Sequence, residues 1–350
     1  MAVLTLLQAS LCQRREIRRT LLMVTTSMMK RASYRFIKLF LLAAFSFLFL
    51  TACSSPVIQN SHLSLNPSAE CRVIQHELGE TCIPLNPQRI IALDPNITLD
   101  PLIALGIKPI GYGSYNFGEE ESLFGVSLDD LAGATMVGHP NQASLEKILL
   151  LKPDLILTSQ YNNQFQLLSA IAPTVLVPLP NLEKPKDEAF FKENLRYVAK
   201  IFGEEAKAEE IINQYQQRID ELQQRLGNQL EQIEVSIIFH DGQGLVYTPA
   251  RNYDATADVL VDLGIRYKLP PLGAPISIES FDEYNTDILF IMNAERRSLS
   301  YYTQHPLFSH LKAVKNNRLY LVPPERWDSR GILGANQILD DLFKYLLEDT

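Results

Sequence analysis

From Arg89 to Val177, short apolar runs alternate with stretches whose apolar residues recur at helical spacing. Ile90-Ile91-Ala92-Leu93, Pro109-Ile110-Gly111-Tyr112, Ala134-Thr135-Met136-Val137, Leu155-Ile156-Leu157-Thr158 and Thr174-Val175-Leu176-Val177 read as strands. Between them, 99–105, 145–151 and 164–171 read as helices. Strands alternating with short helices predict parallel βαβ units. After Pro185 the texture changes. Residues 187–225 hold no proline and one glycine, Gly203, while apolar residues recur at Leu195, Val198, Ile201 and Phe202, then Ile211, Ile212, Tyr215, Ile219, Leu222 and Leu226. That period predicts a helix pair broken near Gly203, its second member long, 204–226. The alternation then resumes with strands 235–239, 287–291 and 318–322, a helix 255–263, a helical turn 307–311 and a closing helix 336–347. The pattern predicts two α/β lobes, 71–185 and 231–350, joined by a helical bridge, 186–230. Such lobes place ligands at the carboxyl ends of parallel strands, so the strand-end loops should line a shared cleft.

One apolar run does not fit this scheme. Lys30, Arg31, Arg35 and Lys38 lead into twelve apolar or small residues, Leu39 to Leu50, followed by Thr51-Ala52-Cys53. Twelve residues make about 18 Å of helix, short of the ~30 Å hydrocarbon core. We read a secretory signal over 1–52, with an over-called start, since residues 1–27 add nothing a signal needs and Met28 or Met29 would serve. The ending resembles a bacterial lipobox, which implies lipidation of Cys53; the competing reading is an ordinary signal with an incidental cysteine. Residues 53–70 are polar, rich in Ser, Asn and Pro, and read as a flexible linker. The expected location is the cell membrane, lipid-anchored and facing the periplasm or exterior.

Charge narrows the partners. Removing residues 1–52 takes away eight of 32 basic and one of 40 acidic residues, leaving a net of −15 with no basic block. Nucleic acid is therefore not an expected partner. In an oxidising compartment, Cys71 and Cys82 are expected to pair. A metal site with His76 as third ligand competes, but cysteines eleven apart match no zinc spacing.

Three segments in order carry a family resemblance: Arg89-Ile90-Ile91-Ala92-Leu93-Asp94, then residues 102–111 (LIALGIKPIG), then residues 144–156 (SLEKILLLKPDLI). With Ile171-Ala172-Pro173-Thr174-Val175, Ile276-Ser277-Ile278-Glu279 and Trp327, they resemble the iron-siderophore and cobalamin substrate-binding proteins of ABC importers. The resemblance spans about residues 71 to 348. It implies two Rossmann-like lobes with central parallel sheets joined by one long rigid helix, and a monomer with no permanent cofactor. It implies a ligand of ferric iron bound as a siderophore chelate, and delivery to an ABC permease of the inner membrane. Cobalamin or haem is the alternative ligand, and an anchored sensor without a permease the alternative role.

No Gly-x-Ser-x-Gly, His-Glu-x-x-His or Gly-x-x-x-x-Gly-Lys occurs, so binding rather than catalysis is expected. The strand-end loops are rich in Tyr, Asn and Arg, which suits a ligand with many oxygens. Arg251, Arg326 and Arg330 are the first candidates, because guanidinium forks match carboxylates in pairs; surface salt bridges with Asp241, Glu325 or Asp328 are the bland alternative. Trp327, the sole tryptophan, is expected to stack on ligand, with Tyr115, Tyr161, Tyr247 and Asp94 as further contacts. Direct iron coordination by Asp94, His139 and His240 is the rival chemistry. Some hydroxamate-binding relatives have an arginine where Pro140-Asn141-Gln142 stands, so their site does not transfer directly. Outside the cleft, Glu146 and Glu279 resemble the acidic pair, one per lobe, that docks such proteins onto permease arginines.

Overall fold

A computed structural model describes residues 70–117, 120–180, 188–240, 246–267 and 282–347. The signal, Cys53, most of the linker and Glu279 lie outside these residues. A disulfide-closed hairpin comes first, β1 (Cys71–His76) with β2 (Gly79–Pro84), its Cys71 and Cys82 joined across a Cα separation of 5.6 Å. Tyr197 OH donates to Gln75 O at 3.1 Å and Thr81 Oγ1 to Thr174 O at 2.9 Å, fastening the hairpin to the first lobe and the bridge. His76 Nε2 meets Thr81 Oγ1 at 2.9 Å, so its ring belongs to the hairpin, with its pKa lowered by burial.

The first lobe holds β3 (Ile90–Ala92), α1 (Asp100–Ala104), β4 (Gly111–Gly113), the small hairpin β5 (Tyr115–Phe117) and β6 (Glu120–Ser122), β7 (Thr135–His139), β8 (Gln142–Ala143), α2 (Leu145–Leu151), β9 (Leu155–Ser159), α3 (Phe165–Ser169) and β10 (Thr174–Val177). Its sheet runs β10-β9-β3-β4-β7-β8, parallel except for β8. Every residue of β3, β9 and β10 is buried, as expected of parallel strands covered on both faces. Ser144 caps α2 by accepting from Lys147 N, and the left-handed Lys152 before Pro153 ends it.

The bridge is α4 (Phe190–Phe202) and α5 (Glu205–Leu226), separated at Gly203, whose φ of 76° supplies the left-handed stop. The second lobe follows with β11 (Glu234–His240), β12 (Val246–Tyr247), α6 (Ala255–Leu263), β13 (Arg266–Tyr267), β14 (Ile288–Asn293), α7 (Leu299–Gln304), β15 (Leu319–Val322) and α8 (Ile332–Leu347). Strands β11, β14 and β15 are parallel neighbours, while β12 runs antiparallel to β11. One continuous core joins Ile97 and Leu102 of the first lobe, Ala199 and Ile219 of the bridge, and Ile338 and Leu342 of α8.

The closing helix starts at Ile332, four residues before the expected Asn336. Its first turn is capped from the other lobe: Asp100 accepts from Leu333 N and Gly334 N at 3.1 and 3.2 Å. No local signal announces such a cap.

Candidate functional site

The carboxyl ends of β3, β4 and β9 meet the loops 248–254 and 323–331 of the second lobe. On the first side, Asp94 is 1% exposed. Its Oδ1 accepts from Asn96 N and Ile97 N at 3.0 Å, and its Oδ2 from Ser159 Oγ at 3.1 Å and Tyr115 OH at 3.4 Å. Burial raises its pKa against these bonds and the charge of Arg330. Asp94 is thus a cap at the head of the turn Pro95–Leu99, with both oxygens accepting hydrogen bonds within the fold. Tyr115 lies edge-on to His139 and Phe124, at 5.0 and 5.4 Å. Burial and Asp94 push its phenol pKa well up.

Across the lobes, Tyr161 OH and Tyr253 OH are 2.9 Å apart. Beneath them the Arg330 guanidinium sits 4.2 Å from the centroid of the Tyr253 ring, with its Nε 3.7 Å from Asp254 Oδ1. Arg330 N donates to Asn96 Oδ1 at 2.9 Å, a second link between lobes. Burial works against the guanidinium, but Asp328 and Asp254 outweigh it and hold its pKa above the ordinary value. Burial raises Asp254 and pushes Asp328 up to about 7, in both cases against Arg330. The loop that presents Tyr253 is tightly built. Asp254 Oδ2 accepts from Ala250 N at 2.9 Å, Asn252 N donates to Asp258 Oδ1 at 2.8 Å, and Tyr267 OH donates to Pro249 O at 2.7 Å.

The other candidates divide. Arg330, Tyr161 and Tyr115 come together here. Trp327 does not: it is fully buried, its ring 4.7 Å from Phe290 and its Nε1 donating to Asp341 Oδ2 at 2.8 Å. The turn Pro324–Trp327 places the indole in the core rather than at a ligand-facing surface. Arg326 reaches both oxygens of Asp341 through Nη1, at 2.9 and 3.1 Å. It borders a cavity of about 390 Å³ between residues 121–128 and the turn after β15, shared with Glu121, Glu325 and Gln337. Arg251 is half-buried and acts electrostatically on Asp258, which burial pushes up to about 7. Tyr247 stacks on Phe239 at 4.6 Å, within its own sheet. His240 Nδ1 meets Tyr302 OH at 3.1 Å, and His139 Nδ1 accepts from Asn141 N at 3.2 Å; neither joins a common centre with Asp94. Glu146 is exposed in the first turn of α2, on the outer surface.

Sequence reasoning passed over Tyr253, Asp254 and Asn96. The Asp254 position before an apolar helix carries a cap signature, but the partners of Tyr253 and Asn96 lie in the opposite lobe.

The sequence profile of the family described as periplasmic binding protein matches residues 90–326. The achromobactin-binding periplasmic protein of Dickeya dadantii is 30% identical over 275 residues, covering 73% of this chain and 85% of its own. The Fe(3+)-citrate-binding protein YfmC of Bacillus subtilis is 28% identical over 304 residues, covering 85% and 92%. Among solved structures, Staphylococcus aureus SirA complexed with staphyloferrin B superposes with a TM-score of 0.61 at 24% identity, covering 79% of this chain and 98% of SirA. That likeness extends the two-lobed α/β fold over the chain's described body.

Proposed function

Because this chain belongs to the periplasmic binding protein family, we propose that it captures a ferric siderophore between its lobes and delivers it to an ABC importer of the inner membrane. The observation that carries this reading is the meeting of Tyr161 and Tyr253 from opposite lobes directly over Arg330. Phenol hydroxyls and a guanidinium are suited to the many oxygens of a ferric chelate. The relatives named for achromobactin and ferric citrate point to the same ligand class. In this reading Tyr115, Tyr161, Tyr253 and Arg330 line the ligand, and iron is cargo rather than a resident cofactor. Arg251, Arg326 and Tyr247 remain further ligand candidates in this reading, with Arg326 on Asp341 and Tyr247 against Phe239 in the structure.

The lobes divide at 71–185 and 231–350, with 186–230 as the bridge. The protein works as a monomer, moored through Cys53 by the linker 53–70, and presents Glu146 and Glu279 to the permease. The role is solute binding, without turnover. Titration of the purified protein with apo and iron-loaded siderophores, followed by intrinsic fluorescence, tests the reading. Saturable quenching by iron-loaded forms alone is expected. Response to free ferric ion alone, or to none of the chelates, overturns it.

A further inference from the structure

Three aspartates stand four residues apart along α6, Asp254 at its head, then Asp258 and Asp262, and so share one face of the helix. Asp262, at the far end, meets Lys192 Nζ of α4 at 2.8 Å and accepts from Tyr215 OH of α5 at 3.0 Å, which fixes α6 to both helices of the bridge. Lys192 is buried, its Nζ 5.1 Å from the centroid of the Tyr215 ring. At the other end, Asp254 makes no cap to the helix, and its Oδ2 accepts from Ala250 N at 2.9 Å. Between them Asp258, 3% exposed, accepts from Asn252 N at 2.8 Å through Oδ1.

Asn252 directly precedes Tyr253, and its φ of 59° places it in the left-handed region. A residue with a side chain holds that conformation where its surroundings enforce it. The kink at Asn252 sets the direction in which Tyr253 leaves the loop, its hydroxyl 2.9 Å from Tyr161 OH and its ring 4.2 Å from the Arg330 guanidinium. Asp254 and Tyr267 hold the loop farther back, at Ala250 and Pro249. Asp258 acts at the kink itself. Its grip does not depend on charge, because a carboxyl oxygen accepts from an N–H whether the group is ionised or protonated.

We infer that Asp258 is a positioning residue for ligand capture: through Asn252 it aims Tyr253 across the lobes, from a helix that Asp262 fixes to the bridge. Asp258 acts through Tyr253 rather than by touching the ligand. This rests on the reading above in which Tyr253 lines a ferric chelate.

The test is a double-mutant cycle on the purified protein. Ferric dicitrate, a ferric trihydroxamate and a ferric tricatecholate are titrated into the native protein, and the tightest of the three is carried through Asp258→Ala, Tyr253→Ala and the combined variant. Asp258→Ala should weaken binding about fivefold or more, yet add almost nothing once Tyr253 is replaced. Asp258→Asn keeps an oxygen for Asn252 N without the charge and should restore most of the affinity. Additive losses in the combined variant, parent affinity in Asp258→Ala, or no rescue by Asp258→Asn overturns the inference. Where Asp258→Ala fails to fold, hydrogen exchange of the Asn252 amide in the native protein decides: protection like that of the α6 amides supports the inference, and exchange at the rate of an open loop overturns it. Parent affinity in Tyr253→Ala removes Tyr253 from the ligand and the inference with it. Failure of all three chelates to bind the native protein overturns the siderophore reading itself.

Discussion

Asp100, in the first lobe, accepts a hydrogen bond from the backbone N–H of Gly334 at 3.2 Å, 234 positions later in the chain. The contact ties the head of α8 to the opposite lobe and is fully buried. With Arg330 N on Asn96 Oδ1 and Gln337 Nε2 on Gly125 O at 2.6 Å, it makes one joint where the segment 330–337 is held by first-lobe residues. The joint is made of hydrogen bonds between side chains and backbone, laid over a core continuous between the lobes.

The joint depends on a missing side chain. A Cβ on Gly331 would lie 2.0 Å from Asp100 Cγ, with no room for the carboxyl to retreat. Gly331→Ala should therefore cost about 1–3 kcal/mol through displaced packing, and more if the cap is lost. Chemical denaturation checks this, and a stability equal to the parent's would show that the cap is not formed.

Three carboxyls, Asp100, Asp258 and Asp328, are pushed up to about 7 from 3.8, in each case chiefly by burial. Each binds its proton more tightly folded than unfolded. The stabilisation is complete below about pH 4 and is lost as pH rises through 7. Glu209, held low by Arg196, acts in the opposite sense only below that window, and within it His76, lowered from 6.5 by burial, is a single partly buried group set against the three carboxyls. The melting midpoint should fall between pH 5 and pH 8, and Asp100→Asn should flatten the slope. A midpoint that rises over that range would contradict these assignments.

Trp327 reads as structural. Trp327→Phe removes the Nε1 donor to Asp341 and part of the contact with Phe290, at a cost of about 1–3 kcal/mol. Ferric-siderophore affinity should stay at the parent value when measured with the remaining tyrosine signal. A large loss of affinity with stability intact would return the indole to the ligand.

In the proposed reading, Tyr253 takes the ligand-facing role that sequence pattern suggests for Trp327. Tyr253→Ala removes the ring stacked on Arg330 and the hydroxyl facing Tyr161, and should weaken ligand binding by about tenfold or more. Tyr253→Phe keeps the ring and should retain most of the affinity. Equal effects of the two variants would mean that the hydroxyl, not the stack, carries the contact.

These contrasts show what local pattern can reach. Helix α2 was legible because Ser144, Lys152 and Pro153 mark its ends, and α6 because Gly264 closes an apolar run. Strands β9 and β10 were legible as continuous apolar runs between turn residues. The start of α8 was not, because its cap is Asp100, far away in the chain. The inward turn of Trp327 and the pairing of Arg326 both depend on Asp341, on a different element. Tyr253 gains its role only when the lobes meet. Side chains at strand ends announce a binding region, but their charge balance is decided by partners that spacing does not reveal.

Glu146 stands exposed in the first turn of α2, held in place by the Ser144 cap and by Lys147 Nζ on Met136 O at 3.0 Å. An exposed glutamate on a seven-residue helix contributes little to stability, which in the proposed reading leaves Glu146 open to the permease. Glu279 carries the matching charge in the second lobe's sequence and lies outside the described residues. Two rim ion pairs at a fixed span set orientation and encounter rate on the permease more than affinity for the chelate. Glu146→Arg combined with Glu279→Arg should abolish siderophore-dependent iron uptake while leaving the dissociation constant of the purified protein unchanged. Each single reversal should give an intermediate rate. Uptake at the parent rate in the double variant would remove both glutamates from the docking surface, and a parallel loss of ligand affinity would place them in the fold instead.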